Sequence, residues 1–414
     1  MTTNDARREA PGAVGVLTLS TISFPLMFAV WLMFGILGVP IQEEFGLTNP
    51  QLFWISALAV LNGSMWRLPA GMIADRVGGK VVMVTLLLVG AAASIAVANA
   101  QNYPMLLALA FVVGLVGNSF SVGVAWNSAW FTDRRKGLAL GIFGAGNVGA
   151  SVTKLIGPGI IAATAGSTYV LGIRGGWRLI PVIYAVLLVV MAVLTVLLVP
   201  REDRKPASAM SIGAMLEPLK ELRVWRFSYY YVIVFGAYVA FSAYLPSYYV
   251  QNFDVSLGAA AAFTATFIFP ASLLRPLGGW VSDQWGARKA MYLTFTVMLA
   301  ATGVLSIPTL DVWTFAVLVF VVGCAMGIGK AAVYKHIPNY FPNHVGSVGG
   351  LVGMLGGLGG FFLPIMFSYA QDGTGRWSTA WFILFMFTAI AMVWMHLTIR
   401  GMQRRGGALH PDHV

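Results

Sequence analysis

The stretch Arg67-Leu-Pro-Ala-Gly-Met-Ile-Ala-Asp-Arg-Val-Gly-Gly-Lys80 returns 208 residues later as Arg275-Pro-Leu-Gly-Gly-Trp-Val-Ser-Asp-Gln-Trp-Gly-Ala-Arg288. Arg67, Gly71, Asp75, Gly78 and Lys80 meet Arg275, Gly279, Asp283, Gly286 and Arg288 at that one offset. A repeat this long implies a chain built from two like halves. In each copy the aspartate ends a helix, the glycine permits a tight turn, and the cation that follows faces anionic headgroups or a neighbouring helix end.

The sequence around the repeat is too apolar for water. Hydrophobic residues make up 58% of the 414 and charged residues 10%, against about 25% charged in a soluble domain. A hydrocarbon layer about 30 Å thick needs about 20 helical residues per crossing. Apolar runs between charge and turn clusters predict twelve spans, near 14–40, 51–74, 81–100, 104–130, 137–168, 179–199, 225–250, 257–282, 290–308, 312–336, 345–370 and 378–399. The alternating ten-residue strands of a closed barrel do not occur. The first run, from Val14, reads as a span and not as a removable leader. Cys324 stands alone, so no disulfide framework is possible. The expectation is an all-α membrane protein of twelve transmembrane helices, divided into an N-terminal six-helix half (1–199), a linker (200–224) and a C-terminal half with a short tail (225–414).

Cations sort by side. With the N-terminus inside, 18 lysines and arginines fall in inner loops and ends, among them Arg7, Arg8, Arg76, Lys80, Arg134, Arg135, Lys136, Arg223, Arg226, Arg288 and Arg405, and three, Arg174, Arg178 and Arg376, fall outside. This asymmetry predicts cytoplasmic termini at a bacterial inner membrane. It accounts for the net charge of +11 without a nucleic-acid partner.

Five cations remain inside the spans: Arg67, Lys154, Arg275, Lys330 and Lys335, whereas all 15 acids lie outside the spans or at their ends. An intramembrane cation costs at least about 2.5–3.5 kcal/mol and persists only with a partner or a polar cavity. The partner expected here is a substrate anion. Arg67 and Arg275 each precede their loop aspartate by eight residues, about 12 Å along a helix, near mid-bilayer. A guanidinium fork suits a planar oxyanion, although charge alone does not exclude phosphate. Lys154 falls in an outer half-span, where a vestibule and interfacial anchoring are the two readings. Lys330, Lys335 and His336 read either as snorkelling to the inner interface or as a cytoplasmic gate.

The paired loops resemble the loop motif of the major facilitator superfamily, and the resemblance covers all twelve spans. Two glycine runs refine it: Gly141-Ile-Phe-Gly-Ala-Gly-Asn-Val-Gly-Ala-Ser-Val-Thr-Lys-Leu-Ile-Gly-Pro158 in the fifth span, and Gly349-Gly-Leu-Val-Gly-Met-Leu-Gly-Gly-Leu-Gly-Gly-Phe-Phe-Leu-Pro364 in the eleventh. Read alone, such spacing fits close helix packing as well as substrate contact. In equivalent spans of this fold, and with Arg67 and Arg275, the runs look like the paired nitrate signatures of the nitrate/nitrite porter (NarK-type) family. The resemblance implies that nitrate is held by Arg67, Arg275, Asn147 and Tyr231. Phe28, Phe120 and Phe235 would form apolar walls, with Gly146, Gly356 and Gly357 on the approaching backbones. Asp75, Arg76, Asp283 and Arg288 would form the structural loop latch.

Within that family the chain resembles the nitrate/proton symporters more than the nitrate/nitrite exchangers, because Lys154 interrupts the fifth-span signature and Lys330, Lys335 and His336 close the tenth. Nitrate carries no useful proton near neutral pH, so symport needs a titrating protein group. Lys154, Lys335 and His336 are the candidates, with Lys330 behind them. The expected partners are nitrate, nitrite as a further substrate, protons and the lipid bilayer, around a monomer. No cofactor or metal is expected. An enzyme is disfavoured, since no nucleophile, metal cluster or phosphate loop has the required spacing. An anion channel and an organic-phosphate carrier are the other readings.

Overall fold

The computed structural model describes residues 11–132, 139–140, 142–168, 172–205, 212–341 and 345–404. Gly141 and the cations Arg7, Arg8, Arg134, Arg135, Lys136 and Arg405 lie outside the described residues. Those residues are overwhelmingly helical and include no strand, only an isolated bridge between Thr168 and Arg174. Helices satisfy their backbone groups internally, which a lipid surrounding demands.

Among the described residues eight helices are long and apolar enough to cross a membrane: Ala13–Phe45, Gly79–Ala98, Tyr103–Trp130, Gly176–Leu198, Leu222–Phe253, Val312–Ile337, Ser347–Thr374 and Thr379–Arg404. The pair Leu257–Leu273 and Arg275–Trp285, bent by 43°, is long and apolar enough for a ninth when taken as one span. At the second, fifth and ninth predicted spans stand helices that are shorter or more polar: Asn49–Met65 with Arg67–Val77, Gly149–Thr164, and Ala287–Leu305. Helix starts follow ordinary capping: Asn102, Ser256 and Asp311 each accept from backbone N–H groups of the first turn. Gly78 and Gly286, equivalent in the repeat, both take positive φ, 106° and 83°, which only glycine adopts at no steric cost.

The chain divides into two compact units, the first comprising residues 1–46 and 58–212, the second residues 47–57 and 213–414. In the first unit the turn after Gly78 is tied to the end of the sixth span. Lys80 Nζ donates to the carbonyl oxygens of Val196, Val199 and Pro200 at 3.1, 2.9 and 3.2 Å, and Asp203 accepts from Lys80 N at 2.7 Å and from the indoles of Trp126 and Trp130 at 2.9 Å. Each charge covers the helix end of opposite dipole sign. In the second unit Asn49 Nδ2 donates to Gln371 Oε1 at 3.1 Å, and Phe53 packs on Tyr244 with ring centroids 4.9 Å apart.

Candidate functional site

Both repeat arginines begin a helix after a break. The second span stops at Met65 and resumes at Arg67; the eighth stops at Leu273 and resumes at Arg275. Proline sets these breaks, because Pro69 and Pro276 have no N–H for the carbonyls of Met65 and Ser272 and their rings crowd the preceding turn.

In the first unit Arg67 is 3% exposed. Its Nε donates to the Gly63 carbonyl at 3.0 Å, and its guanidinium lies 5.3 Å from the centroid of the Trp31 ring. Trp31 is held by its own Nε1, which donates to Ala59 O at 2.9 Å. Its slab leaves no room for a side chain at Gly63 or Gly117. Phe28 meets Trp31 edge-on at 5.2 Å, and Phe24 joins Phe28, Phe120 and Phe143 in one aromatic cluster. Asn147 is buried in a 3₁₀ turn, Ala145–Val148, that interrupts the fifth span. Gly146 packs on Phe24 and Pro25, and Gly149 on the Pro25 carbonyl. These glycines therefore serve helix contact.

In the second unit the Arg275 guanidinium lies 5.5 Å from the Tyr334 centroid. Tyr334 donates to Gly349 O at 3.0 Å and meets Tyr231 edge-on at 5.0 Å, and Tyr231 stacks on Phe235 at 4.9 Å. Phe235 lies inside a π-helical segment, Val232–Gly236, and such bulges recur at functional sites. Gly356 faces the Tyr231 side chain, and Gly236 lies so close to Gly359 that a Cβ there would come within 2.8 Å of its Cα. Gly357 is buried in the same run.

Two lysines depart from expectation. Lys154 is fully buried and donates to the Ala150 carbonyl of its own helix at 3.2 Å, so anchoring at a lipid interface is excluded. Lys330 is also fully buried and does not snorkel. Its Nζ donates to Ala271 O at 2.9 Å and sits 3.2 Å from the Tyr238 ring centroid, while Tyr238 shares a hydrogen bond of 3.1 Å with Ser272. Lys330 lies mid-helix in Val312–Tyr340, which runs on past the predicted end of the tenth span at residue 336. This places it deeper than the sequence reading assumed.

Nearer the helix ends, Lys335 pairs with the loop aspartate Asp283 at 2.5 Å. His336 is buried and stacks on Phe227 at 5.4 Å, and Arg288 donates to Tyr340 Oη at 2.9 Å. In the first unit's copy of the loop, Asp75 is half-buried and Arg76 exposed. Sequence reading missed Trp31, Tyr334 and Tyr238 as the aromatic partners of the cations. Their signal was present, since Trp31 stands three residues after Phe28 and Tyr334 one residue before Lys335, but nothing in one sequence pairs a ring with a distant arginine.

Apolar crossings in two units, each seating an equivalent arginine at a broken helix, are the plan of a repeat-built helical membrane carrier. The sequence pattern of the Major Facilitator Superfamily matches residues 19–364 and, overlapping, 232–408. The chain is 57% identical to the "Probable nitrate/nitrite antiporter NarK1" of Thermus thermophilus, over 95% of this chain and 93% of that one. It is 31% identical to the "Probable nitrate transporter NarT" of Staphylococcus epidermidis, over 92% and 95%. In fold it resembles the crystal structure of a bacterial homologue of the human lysosomal transporter Spinster, with a TM-score of 0.75 and 16% identity over 95% and 98% of the two chains. The chain belongs to the major facilitator superfamily and, within it, to the nitrate/nitrite porters.

Proposed function

We propose that this chain is a secondary active transporter that imports nitrate across a bacterial inner membrane, with Arg67 and Arg275 as the guanidinium ligands of the anion. The observation that carries this reading is the equivalence of the two arginines, each opening a helix after a break and each facing an aromatic ring. The names of the relatives supply the anion. Asn147 and Tyr231 complete the polar contacts in this reading, Phe28, Phe120 and Phe235 the apolar ones, and Gly357 the backbone approach. Termini on the cytoplasmic side follow from the distribution of cations. Substrate binding followed by opening to the other side is how repeat-built carriers alternate access.

Proton symport is the coupling we favour, because Lys154 places a protonatable group inside a span with an uncharged carbonyl as its acceptor. Exchange against nitrite is the second reading, favoured by the name of the Thermus relative. Reconstituted vesicles separate them: labelled nitrate uptake driven by an imposed proton gradient alone supports symport, whereas uptake that requires internal nitrite and ignores the gradient refutes it.

A further inference from the structure

A shallow cleft, half open to its surroundings, lies within the second unit, among the seventh, tenth and twelfth spans and the start of the ninth. Arg226, Arg288, His336 and Tyr340 line one side of it, and Met395 and Met402 the other. Arg226 is its unusual member. It is 9% exposed, and the charged groups near enough to act on it, Arg223 and Arg288, are both cations. Among the described residues Arg226 has a ring contact with Phe227 at 6.0 Å and no carboxylate partner. Burying a guanidinium among like charges is costly unless an anion joins it.

The surroundings hold the cations in place. Arg288 is fixed by its bond to Tyr340 Oη at 2.9 Å, Arg223 lies 5.3 Å from the Tyr340 centroid, and His336 lies flat on Phe227. Two tryptophans of the second unit, Trp225 at the start of the seventh span and Trp285 at the end of the eighth, are 48% and 53% exposed, as indoles are at the headgroup level of a bilayer.

We infer that this cleft is a binding site for a phosphate group, occupied by the headgroup of an anionic phospholipid. Arginine forks match the several oxygens of a phosphate, and basic pockets between helices on the cytoplasmic side take anionic headgroups. The methionine wall offers an apolar path for the start of the acyl chains. Neither arginine belongs to the positions assigned to nitrate.

The test uses the full-length protein. Native mass spectrometry counts phosphatidylglycerol against phosphatidylcholine retained by wild type, Arg226→Gln, Arg288→Gln and Met402→Trp, the last closing the apolar wall with every charge kept. A parallel arm follows thermal stabilisation of delipidated protein by inorganic phosphate. Preferential retention of phosphatidylglycerol, falling about fivefold for each arginine removed and also lost in Met402→Trp, supports the lipid site. Stabilisation by inorganic phosphate that vanishes in Arg288→Gln, with no preference among lipids, keeps the phosphate chemistry but overturns the lipid as its source. Equal retention of both lipids in all four proteins, with no variant-sensitive effect of phosphate, overturns the site altogether. Should Arg226→Gln fail to fold, Arg288→Gln and Met402→Trp decide.

Discussion

Lys330 donates to the carbonyl oxygen of Ala271 at 2.9 Å, and Ala271 stands 208 residues after Gly63, whose carbonyl takes Arg67 Nε at 3.0 Å. The same carbonyl of the repeat, four residues before each arginine, thus receives a cation in both halves. In the first unit the donor is the arginine itself. In the second it is a lysine from the tenth span, and the guanidinium of Arg275 lies over Tyr334 instead. The halves share a backbone plan and differ in how they brace it.

That difference predicts an unequal outcome for Lys330→Met. A buried cation contributes little net stability against an apolar residue of similar volume, so the melting temperature of the variant should hold or rise. Nitrate uptake should fall by about tenfold, equivalent to ~1.4 kcal/mol, because Ala271 loses its donor and Tyr238 its cation. Initial rates in vesicles, read beside thermal melts, check both halves of the statement. A large drop in stability with normal uptake would reduce Lys330 to a structural brace.

Arg67→Lys and Arg275→Lys keep the charge and remove the fork. Lysine is a point charge on a flexible stem, so two parallel hydrogen bonds to a planar oxyanion become one. Each variant should weaken nitrate affinity by about tenfold or more. Arg67→Lys should also lose stability by about 1 kcal/mol, since its Nε bond to Gly63 goes as well. Isothermal titration with nitrate and melting curves measure the two effects. Affinity close to wild type in both variants would sink the two-fork reading.

Much of this plan is visible in the residues themselves. The offset of 208 joins Arg67 to Arg275 and Gly78 to Gly286, and the apolar runs locate the crossings. Side-chain reach was harder to read. Lys330 stands six residues before the predicted end of its span, which suggests snorkelling, and Lys154 in an outer half-span, which admits interfacial anchoring, yet both are enclosed, with helix carbonyls and, for Lys330, a ring face within reach. The helix breaks at Trp66 and Leu274 could have been read from Pro69 and Pro276, whose missing donors each remove a helical bond one turn back.

The glycine runs make a different prediction. A Cβ at Gly356 would meet the Cβ of Tyr231 at 2.8 Å, whereas one at Gly144 would meet nothing within 4 Å. Gly356→Ala should therefore cost about 1–3 kcal/mol through overpacking. Gly144→Ala should be neutral or stabilising by up to about 1 kcal/mol, as alanine is the better helix former. Melting temperatures of the two variants, compared directly, test whether the eleventh-span glycines exist for helix contact. Equal effects would show that the run is not packed as described.

Proton coupling turns on which group can change charge without a neighbour compensating for it. Lys335 is paired with Asp283 and its side chain is 41% exposed, against 56% for its partner, so water screens the pair and its contribution is about 0–1 kcal/mol. Neutralising it should leave both stability and pH-driven uptake nearly unchanged. His336 is stacked on Phe227 beside the arginine cleft, and His336→Gln is expected to leave uphill uptake intact. Lys154 differs from both, being wholly enclosed with a single carbonyl acceptor. Lys154→Gln should abolish accumulation driven by an imposed proton gradient while leaving downhill nitrate flux measurable, a split that misfolding would not produce. Vesicle uptake with the gradient imposed and then collapsed reads the two fluxes separately. Uphill uptake retained in Lys154→Gln and lost in Lys335→Gln would move the coupling site to the exposed pair at Asp283.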